Sequence, residues 1–141
     1  MENQLMYRYS KMELNQFAIF EDNCKKDMEE VQFNTEAQFS FDKDNSVLRS
    51  AIVVNAMFEG SPIMKAELFS FFDIHPKSID GMRQDGHILF SPPALVQFAS
   101  LCYGSMRGVI FAKTQGTPLN QYIIPPVYFG QMIDRGFSVD L

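Results

Sequence analysis

Asp73 and His75 stand two residues apart, and His87 follows a dozen residues later. Carboxylate and imidazole groups at such spacing could ligate a divalent metal. A turn carrying surface histidines is the simpler reading, so no metal and no cofactor are expected. Cys102 could act as a nucleophile only beside a base and in an electropositive setting. Its neighbours are apolar, which reads as a packed core thiol. Serine is plentiful, but no Gly-x-Ser-x-Gly elbow occurs. CxxC and HExxH are absent, and the scattered glycines make no phosphate-cradling loop. The expectation is a protein without catalytic residues.

The residues that could bind a partner are apolar. Leu119, Tyr122, Ile123 and Ile124 lie between Pro118 and the pair Pro125-Pro126. An apolar segment held by prolines at both ends loses little entropy on binding. Phe69 and Phe71 alternate along a strand, away from its core face. They either pack in a local or subunit contact or form an exposed strip that accepts extended segments. The nine methionines fill irregular apolar space and also suit surfaces that take varied partners. A free strand edge could add main-chain hydrogen bonds without reading sequence.

These groups need elements to position them. A chain of 141 residues suggests one domain, 1–141, with room for a core. Its hydrophobic share of 46% and charged share of 21% are those of a folded protein. A net charge of −5 argues against a nucleic-acid partner. Cys24 and Cys102 are far apart and in unlike settings, which suits two free thiols in a reducing cytoplasm. The N-terminus lacks the basic-then-apolar pattern of a secretory signal.

Four strands are expected, at about 9–21, 31–42, 47–58 and 63–74. In Val31–Asp42 the residues Val31, Phe33, Thr35, Ala37, Phe39 and Phe41 share one face, with polar residues between them. Leu48, Ile52, Val54, Ala56 and Phe58 suit a core face, as do Met64, Ala66, Leu68, Phe72 and Ile74. In the first strand Met12 and Leu14 are in one phase and Phe17 and Ile19 in the other. A bulge near Asn15-Gln16 explains the switch. His75–Gly86 reads as a loop.

A helix is expected over about 91–115, capped by Ser91, with Pro92 at its first position and Gly116 ending it. From Ala94 to Ala112 its only charge is Arg107. Such a helix is buried all round. It is long enough to span a bilayer, but Gln97, Ser100, Ser105, Arg107 and two glycines argue against membrane insertion. At about 100° per residue, Leu95, Phe98, Cys102, Met106 and Val109 form one stripe, which suits a sheet. Ser100, Gly104, Gly108 and Ala112 recur every four residues on the other side. Two interior glycines cost roughly 1 kcal/mol each relative to alanine, so something must offset them. Either the following loop covers this stripe or the helix of a neighbouring subunit packs there. Strands followed by a long helix imply an α+β fold: a four-stranded antiparallel sheet with the helix on one face.

Strands, an apolar helix, Gln115-Gly116-Thr117-Pro118, a mixed loop and Pro125-Pro126-Val127-Tyr128-Phe129 together resemble the SecB export chaperones. The likeness runs from about Tyr9 to Met132, and its specific part is residues 104–129. The resemblance implies a sheet with helices on one face and assembly as a dimer or dimer of dimers. It implies an ATP-independent holdase that binds non-native polypeptide beside the crossover loop 116–127, where Leu119, Tyr122, Ile123 and Ile124 would form one wall. Some relatives serve toxin–antitoxin systems, so a module dedicated to one partner, such as an antitoxin or operon-encoded protein, is the alternative. Two departures stand out. Only Gly130–Leu141 follows the Pro-Val motif, enough for one short turn and a stub. The outer sheet face mixes Glu36, Asp42 and Glu67 with Arg49 and Lys65, where export members present acidic residues to the translocation motor. Whether this face meets such a motor stays open.

Overall fold

The computed structural model describes residues 5–141. Four long strands, β1 (Tyr7–Ile19), β2 (Val31–Asp42), β3 (Val47–Phe58) and β4 (Ser61–Ile74), form an antiparallel sheet in the order β1-β4-β3-β2. The alternation of apolar and polar residues in each strand gives the sheet one core face. From β3 and β4, Leu48, Ile52, Val54, Ala56, Met64, Ala66, Leu68 and Phe72 are all buried. Two register shifts interrupt β1, between Tyr9 and Lys11 and between Leu14 and Gln16. Each extra residue reverses the side-chain phase, so Tyr9, Leu14 and Phe17 all reach the core despite their irregular spacing. The second shift is the bulge expected near Asn15.

Helix α2 (Pro92–Lys113) lies across β3 and β4. Ser91 Oγ accepts from the Ala94 N–H, and Gly116 takes a left-handed φ of 79° past its end. Leu95 and Phe98 pack with Leu48 and Phe72, while Met106 and Ile110 pack with Ile63 and Leu68. Burying each such side chain contributes about 1.5–3 kcal/mol. In length and composition α2 could cross a membrane. Here one side of it packs on the sheet instead.

The segment expected as a loop at His75–Gly86 is structured. Helix α1 (Pro76–Met82) is capped by His75, whose Nδ1 accepts from the Lys77 N–H at 3.1 Å. Ser78 Oγ accepts from the Met6 N–H at 2.8 Å, and Ile79 is buried. Strands β5 (Arg83–Gln84) and β6 (His87–Phe90) then form a hairpin closed by Asp85 and Gly86, with φ of 50° and 80°. Positive φ at both turn positions matches the twist of paired strands. Beyond α2 come a 3₁₀ turn (Pro118–Gln121), one helical turn α3 (Phe129–Met132) and β7 (Phe137–Asp140). β7 pairs with β6 to complete a second sheet, β5-β6-β7, where only a stub was expected. The pairing is long-range in sequence, which is why local pattern does not reveal it.

Candidate polypeptide-binding groove

The groove forms where α2 ends and the chain turns back along it. Thr114 closes the helix, its Oγ1 donating to the Ile110 carbonyl at 2.8 Å. Asn120 ties the turn down: its Nδ2 donates to the Phe111 carbonyl at 3.0 Å and to Thr114 Oγ1 at 3.2 Å. Thr117 Oγ1 accepts from the Leu119 N–H at 3.2 Å and opens the 3₁₀ turn. Further on, Tyr103 Oη donates to the Pro125 carbonyl at 2.5 Å, and the Tyr103 ring meets Phe129 edge-on at 5.6 Å. Burial pushes the Tyr103 phenol up from its ordinary pKa, so it stays a hydrogen-bond donor. Tyr122 Oη hydrogen-bonds the Met28 N–H and carbonyl, fastening the loop to the connector between β1 and β2.

Between helix and loop lies a groove of about 400 Å³, lined by Arg107, Gly108, Ile110, Phe111, Thr114, Asn120, Tyr122, Ile123 and Ile124. Arg107 is its only charged residue. Ile123 is 83% exposed and Phe111 59% exposed. A Cβ placed on Gly108 would meet nothing within 4 Å, so the floor is open there.

The four loop residues singled out by sequence divide. Ile123 points to solvent, Tyr122 is half-buried, and Ile124 lines the groove from a buried position. Leu119 is 5% exposed, packs in the core and does not line the groove. Phe69 and Phe71 lie on the opposite, outer face of the sheet, apart from the groove. Arg49 sits over the Phe69 ring at 4.4 Å and Lys11 over Phe71 at 5.3 Å. That face mixes both signs of charge as expected, with Arg8 pairing Asp73 at 2.8 Å and Asn15 bonding Glu67.

Ser100, Gly104, Gly108 and Ala112 are all exposed, and the loop does not cover them. Leu101 and Phe111 flank this stripe. The sheet-facing set of α2 is Leu95, Phe98, Ala99, Cys102, Tyr103, Met106 and Ile110; Val109 is only half-buried. Phe111 is the groove residue that sequence reading passed over. Its signal was a large aromatic residue out of phase with the sheet-facing stripe.

Among the described residues, Asp73, His75, His87 and Cys102 do not gather into one cluster. Asp73 is engaged by Arg8 and Ser10, which hold its carboxyl below the usual range, the Arg8 hydrogen bond first. His75 caps α1, and His87 Nδ1 pairs with Asp140 at 2.7 Å. Among the described residues no cluster of His, Cys, Asp or Glu could hold a metal. Cys102 is fully buried on the sheet-facing side of α2, and desolvation pushes its thiol up despite the opposing Ser70 and Ser50 hydroxyls. A raised pKa leaves a thiol unreactive.

No family model and no curated protein sequence matches this chain. Among solved structures, it is similar to the SecB-like chaperone of Mycobacterium tuberculosis, solved in complex with a ChAD peptide from the HigA1 antitoxin. That likeness has a TM-score of 0.55 at 12% identity and covers 86% of this chain and 90% of the other. A protein of unknown function from Streptococcus agalactiae aligns over 89% of this chain and 98% of its own, at 12% identity and a TM-score of 0.41. With its antiparallel four-stranded sheet and the long helix packed against it, the chain has a SecB-like α+β fold.

Proposed function

We propose that this protein is an ATP-independent holdase-type chaperone that binds unfolded or extended polypeptide. The observation that carries this reading is the apolar groove between α2 and the loop, with Phe111 and Ile123 displayed to solvent. Large apolar side chains grouped on a surface mark interaction sites. With Arg107 the one charged side chain among its described lining residues, the groove favours apolar side chains over any one sequence. Hydrogen bonds through Asn120, Tyr103 and Tyr122 hold the loop wall in place, so little entropy is lost when a client binds.

The working form is a homo-oligomer, a dimer or dimer of dimers, joined along Ser100, Gly104, Gly108 and Ala112. The exposure of that stripe beside Leu101 supports this part of the reading. Free Cys24 and Cys102 suit a cytoplasmic setting. A second reading, a module serving one dedicated partner, is favoured by the antitoxin peptide bound to the Mycobacterium tuberculosis neighbour.

The test is suppression of aggregation of several unrelated unfolded proteins at near-stoichiometric ratio. Ile123→Ser should weaken client binding roughly tenfold, as expected for losing about 1.5 kcal/mol of apolar burial. Its unfolding midpoint should stay unchanged, because Ile123 is 83% exposed. Equal protection by Ile123→Ser and the unaltered protein rejects the groove. Protection of one client alone selects the dedicated module.

A further inference from the structure

Strand β7 pairs with β6 alone among the described residues. It covers apolar surface: Phe137 stacks on Phe90 at 6.1 Å, and Val139 lies opposite Ile88. Phe90 and Ile88 are 0% and 2% exposed with β7 in place. The strand itself is held lightly. Phe137 and Val139 are only half-buried, and Ser138 and Asp140 are exposed. Asp140 pairs with His87, and its carbonyl accepts from Lys43 Nζ at 3.2 Å. A side-chain pair this exposed contributes little. Strands with few buried contacts occupy the low-stability end of a fold. The stretch leading into β7, Met132 to Gly136, lines a surface groove of about 520 Å³ with Ala37, Phe39 and Leu95. On the β2 side of that groove, β2 pairs with β3 alone among the described residues.

We propose that β7 is a displaceable strap, and that an extended client segment takes its place on the β6 edge. The inference rests on the holdase reading and adds a gate to it. β7 shows what fits: Phe137 and Val139 face the core while Ser138 and Asp140 face out. An incoming strand with apolar residues two apart repeats the same backbone bonds and seats its side chains on Ile88 and Phe90. Gly136 sets the entry point. A Cβ there would lie 2.7 Å from the Phe90 carbonyl oxygen, so the occupant needs glycine or its own terminus at that position.

The test uses the full-length chain with Leu89→Cys and Ser138→Cys, a cross-strand pair on the exposed side, in a Cys24→Ser background. The probe is a dye-labelled synthetic peptide of residues 136–141, followed by fluorescence anisotropy. The reduced protein should bind it, and closing the disulfide should weaken binding at least about tenfold, because the competent state is removed. Full-length Phe137→Ser, with its strap loosened, should bind several-fold tighter than the unaltered protein, and this arm decides alone if the disulfide does not close. Equal binding by the oxidised and reduced forms, or no gain in Phe137→Ser, overturns the strap. A lock that leaves aggregation suppression intact while Ile123→Ser abolishes it overturns the strap and keeps the holdase. Failure of Ile123→Ser to change suppression strikes the holdase reading instead.

Discussion

The two sides of α2 have nearly the same hydropathy and opposite fates. Toward the sheet, Phe98, Ala99, Cys102 and Met106 are fully buried. Away from it, Leu101, Gly104, Gly108 and Phe111 face solvent. A helix that is apolar all round is ordinarily buried all round. Here the chain buries one side only, and the other carries small residues flanked by two large ones. The difference separates core packing from display: similar residue types stabilise the fold on one side and present a surface on the other.

The comparison breaks most sharply by truncating a phenylalanine on each side. Phe98→Ala should cost about 3–5 kcal/mol in denaturant unfolding, since it empties a fully enclosed site. Phe111→Ala should change stability by less than about 0.5 kcal/mol, as for other surface substitutions. Comparable losses at both positions would mean that the outer side is also packed within the subunit.

A smaller effect is expected at the small-residue stripe. Gly104→Leu with Gly108→Leu should stabilise the isolated subunit by up to roughly 1 kcal/mol per site through helix propensity, since a Cβ at either position meets nothing within 4 Å. The same double variant should lower the oligomeric mass seen by native mass spectrometry. An unchanged mass would remove the stripe from the subunit interface and leave the groove as the only use of this side.

The smallest expected effect contrasts the outer sheet face with the uncharged interior. Asp73 has its pKa lowered in the folded state, chiefly by the Arg8 hydrogen bond. Its contribution is therefore present above the unfolded carboxylate pKa and lost as pH falls through the lower, folded one. Asp73→Asn should lower the neutral plateau slightly and flatten the acid side of the stability profile by the same small amount. The pair is exposed, so a large change at neutral pH would mean that Asp73 has a partner beyond Arg8 and Ser10.

Periodic elements were legible in the sequence. Alternation located the four long strands within a few residues, and the phase reversal between Leu14 and Phe17 located the bulge. Ser91, Pro92 and Gly116 bracketed α2 because caps act locally. The site was only partly legible. Leu119, Ile123 and Ile124 are all apolar in a segment without a period, so nothing local separates buried Leu119 from exposed Ile123. Phe69 and Phe71 were grouped with them by residue type, yet the sheet lies between. Helix α1 was missed because it is seven residues long and its cap is a histidine. Asp85-Gly86 was a readable hairpin signal, but its partner strand β7 lies some fifty residues onward.

By itself, the sequence determined which segments alternate, which coil and where each stops, because these follow from local geometry and capping. Tertiary structure alone decided which apolar side of α2 meets the sheet, which isoleucine of the loop faces solvent and where the last strand docks. Those outcomes depend on contacts between residues far apart in the chain, and burial is a property of the assembled surfaces.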